Sequence, residues 1–383
     1  MASGTPLQAA DKIEIRTGLL RVAEERPLPI SRVDLPPEDL GTAGGTLAVA
    51  DNNTTGSFLG QVYSMDVVDT PPAEAVAAAE AMLADGITII TVMGSAETVL
   101  AIADLPGAKD ALILNATATD DRLRNDACRA NVLHTAPSRA MIADGLAQYM
   151  IWKKWDAWLL VHGSNPADGL KADAYRNAAK KFGAEIVEDL VFEDTGGARR
   201  SDSGHVLVQK QIPVFMQEAD DHDVVVAADE SGVFGVYLPY RGWVARPVVG
   251  DAGLTASLWH PGHESYGSTQ LQRRFEKLAG RQMRDEDFTV WTAIRAIGEA
   301  VTRTNSGETA TLREYLLGEE FKLATFKGQP TSFRPWNGQF RHGVILGDAK
   351  LVVSISPQEE FLHQRTRLDT LGFDEPQSTC RAF

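Results

Sequence analysis

A chain of 383 residues is too long for one compact core and suits two domains of ordinary size. Hydrophobic residues at 44% and charged ones at 23% exclude a disordered chain, and no apolar run approaches the roughly 20 residues that cross a bilayer. A net charge of −15 excludes nucleic acid as the main partner, since phosphate binding needs a basic footprint. A small ligand, which feels only its own pocket, stays open.

The start, Met1-Ala-Ser-Gly-Thr-Pro6, has neither a basic nor an apolar segment and reads as a mature or truncated start without a signal peptide. Residues 13–20 form a strand, and residues 21–37 a Pro-rich, charged loop. Residues 40–50 make a helix of small residues that the polar group Asp51-Asn-Asn-Thr-Thr-Gly56 ends. A strand over 61–68, an Ala-rich helix over 72–84, a β-branched strand over 87–93, a short helix over 97–103 and a strand over 111–114 follow. This βαβα order predicts a mostly parallel sheet with right-handed crossovers. Cys128 and Cys380 are the two cysteines, and the sequence leaves them open as free thiols or a disulfide.

The pattern then restarts. Residues 132–135 read as a strand and 138–153 as a helix capped by Ser138. A strand over 158–162 and a helix over 167–182, closed by Gly183, lead to a strand over 186–192. After a polar loop over 193–203 come a helix to about residue 219, strands at 224–228 and 248–249, and helices over 268–278 and 288–303. The result is an α/β chain of two units, each a mostly parallel sheet flanked by helices.

Small or polar residues stand just beyond six apolar strands: Met93-Gly-Ser, Leu114-Asn-Ala-Thr, Ala136-Pro-Ser-Arg, His162-Gly-Ser-Asn, Ala228-Asp-Glu-Ser-Gly and Val249-Gly-Asp-Ala. Open α/β sheets bind ligands beyond the carboxyl ends of their strands, so six such junctions over two units suggest facing edges with a cleft between.

At this point the chain resembles the type I periplasmic solute-binding proteins of ABC importers, the branched-chain amino-acid-binding superfamily. Leu47-Ala-Val-Ala-Asp-Asn-Asn-Thr-Thr-Gly56 looks like that superfamily's first helix, and Val132-Leu-His-Thr-Ala-Pro-Ser138 like its crossover. Within it, the chain is similar to a subgroup encoded beside pyrroloquinoline quinone-dependent alcohol dehydrogenases. The shared stretches are Asp51 to Gly56, Leu133 to Arg139, Arg246 to Gly250, Phe333-Arg-Pro-Trp-Asn-Gly-Gln339 and Ser356-Pro-Gln-Glu359.

The resemblance implies a periplasmic, monomeric, non-enzymatic receptor that closes two lobes on a small molecule and delivers it to a membrane permease. The lobes would comprise residues 10–137 with 254–330, and 138–253 with 331–383. Three crossovers would fall near Pro137, at 251–254 and at 328–334, with Asn337-Gly338 turning a hairpin just past the third. The superfamily's Ser-Gly loop after the first strand, which meets a ligand carboxylate, is replaced by residues 21–37, a departure that counts against an amino-acid ligand. The subgroup's gene neighbourhood makes pyrroloquinoline quinone the first expected ligand, with a lanthanide or its chelate, or a sensor role toward a partner protein, as alternatives.

Carried over as positions, Ser95, Asn115 and Thr117 stand at strand ends of the first unit, and Ser138 and Arg139 at the first crossover. Asn165, Asp229, Glu230 and Asp251 stand at strand ends of the second. Trp259, Trp291 and Arg334 are the candidates for an aromatic, carboxylated ligand, because indoles stack on flat rings and arginine forks match carboxylates. His260-Pro-Gly-His263-Glu264 lacks the helical spacing of a zinc site, and Asp220-Asp-His-Asp223 reads as a surface turn, so no metal or resident cofactor is expected. A hydrolase using His260 and His263 is the remaining alternative.

Overall fold

In the computed structural model, which describes residues 12–24, 35–193 and 202–383, strands and helices alternate through the first two thirds of the chain. The first run comprises β1 (Ile13–Val22), α1 (Thr42–Leu59), β2 (Gln61–Thr70), α2 (Ala75–Ala84), β3 (Ile89–Met93), α3 (Ala96–Ala103), β4 (Leu112–Asn115) and β5 (Val132–His134). The second comprises α4 (Arg139–Trp152), β6 (Ala157–Gly163), α5 (Pro166–Phe182), β7 (Glu185–Phe192), α6 (Asp202–Met216) and β8 (Val224–Ala228). It ends with α7 (Leu238–Arg241), β9 (Val248–Gly250) and β10 (Leu254–Ser257). There follow α8 (Ser268–Ala279), α9 (Asp285–Thr304), α10 (Thr309–Leu317), β11 (Leu323–Ala324), β12 (Pro330–Thr331), β13 (Val344–Gly347) and β14 (Val352–Ser356). Most of the 21–37 loop and of the 193–203 loop lies outside the described residues.

The strands form two sheets. One is fully parallel in the order β2-β1-β3-β4-β5. β3, buried along its whole length, sits near its middle, as a β-branched run demands. The other runs β14-β13-β10-β9-β8-β6-β7, parallel from β7 to β10 and antiparallel at the β13 and β14 edge. Helices α1 and α8 to α10 cover the first sheet with one core around Ala293, Ile297 and Leu312. Helices α4 and α5 cover the second around Leu146, Tyr175 and Val226.

Three expectations are corrected. α1 runs on to Leu59 through the polar group expected to stop it. The asparagines are satisfied from outside the helix: Asn52 donates to the Ile294 carbonyl at 2.9 Å, and Asn53 bonds the Tyr63 backbone through both amide atoms. Polar side chains with such partners lose their helix-breaking effect. The second crossover is also displaced. Residues 254–257 pair with β9 and β13, so the chain leaves the second sheet only after Ser257.

The third passage lies at 341–343, since Phe333 and Phe340 pack in the first core while Val344 belongs to the second sheet. The Asn337-Gly338 turn therefore falls before the crossing. Gly338 has φ 67°, and a Cβ there would come within 2.8 Å of the Val132 carbonyl, so only glycine fits. Arg124 binds these connections together. Its buried guanidinium donates to the carbonyls of Ala118, Asp120, Ala136 and Pro137 and to the Gln339 side chain. A disulfide between Cys128 and Cys380 settles the cysteine question.

Candidate functional site

The carboxyl ends of the parallel strands in both sheets point toward each other, and a single guanidinium joins them. Arg139, the first residue of α4, donates from Nε and Nη2 to both oxygens of Glu230 at 2.8 and 2.7 Å. From Nη1 it donates to Asp120 at 3.0 Å. Asp120 follows β4 of the first lobe and Glu230 follows β8 of the second, so the two-pronged geometry of arginine spans the gap between lobes. Burial disfavours the Arg139 charge, but the two carboxylates outweigh it and raise its pKa further.

Beside it in the second lobe, the Lys171 ammonium pairs with Asp251. Burial pulls this lysine down, yet Asp251 and Glu230 offset it and leave its pKa above the ordinary value. Asp251 also accepts from the Asp229 amide at 2.8 Å, which fixes the β9 tip against the β8 tip. The Tyr175 hydroxyl is buried without a hydrogen-bond partner, and burial, then Asp251 and Glu230, push its pKa well up. Asn165 donates to Ser231 at 3.1 Å, and Ser231 is held in turn by Asp168.

In the first lobe, Ser95 caps α3 through its hydroxyl. Its backbone amide donates at 2.8 Å to Glu24, at the end of β1. A carboxylate of the chain itself thus sits on the free N–H groups that open α3. Arg139, Lys171 and Arg122, which also pairs with Asp120, are set here against Glu24, Asp120, Glu230 and Asp251, so the carboxylates exceed the cations by one.

Other residues expected at the site have structural partners. Asn115 accepts the amides of Thr117 and Ala118, and the Thr117 hydroxyl bridges to Gly94. Ser138 caps α4 through the Met141 amide. Asp229 accepts three amides, from Val233, Phe234 and Gly235.

The three residues chosen for an aromatic, carboxylated ligand stand apart from Arg139. Trp259 bonds Gln272 and stacks on Phe288 with ring centres 5.1 Å apart. It borders a groove of about 610 Å³ shared with Pro37, Arg281 and Arg284. Trp291 is 2% exposed and bonds Asp51. Arg334 is 1% exposed, and Asp369 and three carbonyls take up its guanidinium. Trp259 and Trp291 are drawn into the core that α1, α8 and α9 share in the first lobe, and Arg334 into the buried polar joint with Asp369. His260 and His263 each meet a backbone carbonyl, and among the described residues no cluster of three or more His, Cys, Asp or Glu is arranged to hold a metal.

Glu24, Asp120, Lys171 and Tyr175 went unmarked in the sequence, and Ser231 was not among the chosen site residues. Asp120 stands five residues beyond the end of β4, past Leu114-Asn-Ala-Thr, and Ser231 lies inside Ala228-Asp-Glu-Ser-Gly. Lys171 and Tyr175 lie on α5, a full turn past its start, where no strand-end pattern reaches.

Burial raises the carboxyls of Asp229 and Asp144 to about 6 despite their bonds to amides and to Lys181. A carboxyl whose folded pKa lies above its unfolded one stabilises the fold fully below the unfolded value and loses that contribution as pH rises through about 6. Relative to Asp144→Asn, the wild type is therefore expected to gain about 1 kcal/mol of stability between pH 7.5 and pH 5, a comparison in which the opposing effect of His134 and His342, kept neutral by burial, cancels. Thermal unfolding followed by circular dichroism at both pH values checks this.

Two sheet-and-helix lobes joined by three crossovers, with strand tips opposed across a charged seam, are the architecture of the type I periplasmic binding protein fold. A family model described as "Periplasmic binding protein" matches residues 40–200. Solved structures share the fold over nearly the whole chain. A branched-chain amino acid ABC transporter periplasmic ligand-binding protein from Burkholderia xenovorans is 15% identical at TM-score 0.74, covering 96% of this chain and 99% of that one. A leucine-, isoleucine-, valine-, threonine- and alanine-binding protein from Brucella ovis, in its closed conformation, is 16% identical at TM-score 0.69, covering 96% and 98%. An ABC transporter substrate-binding protein from Desulfitobacterium hafniense in complex with Leu is 18% identical at TM-score 0.66, covering 90% and 100%. No curated protein matches the chain. No described helix is long and apolar enough to cross a membrane.

Proposed function

We propose that this chain is the solute-receiving component of an ABC import system, working outside the cytoplasm and grasping a small molecule between its lobes. The observation that carries this reading is Arg139, held by Asp120 of one lobe and Glu230 of the other: a solute that competes for those charges alters how the lobes meet. The named ligands of the fold's solved relatives, leucine and other amino acids, support a small solute of that size.

The carboxylates at the strand tips, Glu24 on the Ser95 amide above all, support a solute bearing an ammonium or similar cation. Glu230 and Asp251 are the acceptors for it, with the Tyr175 hydroxyl as a further partner. Glu24 on the Ser95 amide argues against a free carboxylate seated there. A tricarboxylate such as pyrroloquinoline quinone would meet Glu24, Asp120, Glu230 and Asp251 without the stacking faces of Trp259 and Trp291. The quinone therefore serves as the contrasting arm of the test.

Calorimetric titration with L-leucine, a linear diamine, a dicarboxylate and the quinone is expected to give micromolar binding only for ammonium-bearing compounds. Glu230→Gln is expected to weaken that binding by roughly tenfold or more, the worth of a charge-assisted hydrogen bond. Glu24→Gln is expected to strengthen leucine relative to the diamine. Tighter binding of the quinone than of any ammonium compound would overturn the ligand class. Mass spectrometry of solute released from freshly purified protein gives an independent reading.

A further inference from the structure

After β14 the chain does not end in the second lobe. The Gln358 amide donates to Gln148 of α4 at 2.9 Å, and Phe361 meets Phe182 of α5. Leu371 enters the second lobe's core, and the Gly372 amide donates to Asp144 at 2.7 Å. Lys181 of α5 donates to the carbonyls of Thr370 and Gly372, both at 2.8 Å.

The same segment then passes the joint between the lobes. Asp369 accepts from Arg341, which opens the third passage, and from Arg334, in the hairpin before it, and the Phe373 carbonyl accepts from Arg334. Beyond it, Ser378 donates to the Arg124 carbonyl, Cys380 is bonded to Cys128, and Phe383 lies under Arg313 of α10 against the first lobe's core.

We infer that residues 357–383 form a fourth connection between the lobes, a leash that caps how far they can open. The three crossovers are continuous backbone, and hinge motion turns their few residues about φ and ψ. The leash is different, because both of its ends are anchored in packed cores and one anchor is covalent. Between Gly372, held by the second lobe, and Ser378, held by the first, five residues intervene, and Glu375–Gln377 fold into a single turn. Unfolding that turn lets the two anchors separate to at most about 20 Å. Small hinge rotations are therefore free, and large ones meet a stop. This inference rests on the tail's path alone and needs no statement about which solute is bound.

The test uses full-length, solute-free protein. X-ray scattering and hydrogen exchange are compared for the wild type, oxidised and after reduction with a phosphine, and for Cys128→Ser/Cys380→Ser. Cutting the covalent anchor is expected to enlarge the radius of gyration and maximum dimension, and to speed exchange at 132–138 and 341–347 by about tenfold. Reoxidation of the reduced wild type is expected to restore both. Superimposable scattering and unchanged exchange with the bond cut would overturn the leash. Loss of near-ultraviolet circular dichroism in the reduced protein and the double variant would do so as well, since the bond would then hold the cores together instead of limiting their separation.

Discussion

Arg334→Ala is expected to lower the unfolding free energy by about 3–5 kcal/mol, the range for removing one partner of a buried ion pair. The guanidinium is 1% exposed and donates to Asp369 at 2.8 Å, to the Leu371 carbonyl at 2.7 Å, and to the carbonyls of Phe373 and Leu368 at 3.1 and 3.2 Å. Alanine leaves the Leu371 and Phe373 carbonyls without a donor, whereas the Leu368 carbonyl keeps the Leu371 amide at 3.2 Å. Arg341 still reaches Asp369, so the carboxylate itself keeps one cation, which holds the loss to the stated range. Lysine is not expected to rescue, since one ammonium cannot serve four acceptors spread along a fork. Urea unfolding of the three proteins decides. A loss below roughly 1 kcal/mol for alanine would mean that the joint does not depend on this hub.

The second large effect is expected at the crossing of α1 and α9. A Cβ on Gly44 would lie 2.0 Å from the Asp287 carbonyl oxygen and 2.7 Å from its carbon, both backbone atoms of the facing helix. Backbone cannot rotate aside as a side chain does, so Gly44→Ala must push the helices apart, at a cost of about 3 kcal/mol. Gly45, its neighbour, provides the control. A Cβ there meets the Met65 sulfur at 2.5 Å, and a thioether can swing away. Gly45→Ala is expected to fall within about 1 kcal/mol of the wild type, because alanine's better helix propensity offsets the repacking. Equal losses at the two positions would show that the close approach of these helices is not what glycine serves.

The alternation of strand and helix was readable because both signals are local: β-branched runs such as residues 89–93, and caps such as Ser138 and Gly183. Which edge of each sheet would face the other was also readable, since small polar residues gather beyond the strand ends. What escaped depends on partners distant in sequence. The group Asp51-Asn-Asn-Thr-Thr-Gly56 has the composition of a helix end, and it stays helical only because Ile294 and Tyr63 accept its amides. β10 is four half-buried residues whose strand character comes from β9 and β13 on either side. Trp259, Trp291 and Arg334 have the chemistry of ligand contacts, and nothing local distinguishes a ring that stacks on Phe288 from one that stacks on a solute. Glu24 illustrates the reverse case, an unremarkable loop acid given meaning by the Ser95 amide it reaches.

Among the seven tryptophans, Trp336 has an unusual setting: the guanidinium carbons of Arg334 and Arg341 stand 5.5 and 5.3 Å from the centre of its ring. An indole flanked by two fixed positive charges has its excited state tuned by their field, so its emission colour depends on how those arginines are placed. Arg341 opens the third passage, and Arg334 reaches Asp369 of the tail from the hairpin just before it. Intrinsic fluorescence of this protein is therefore a gauge of hinge angle, and a solute with no aromatic group at all will shift it as readily as one that stacks.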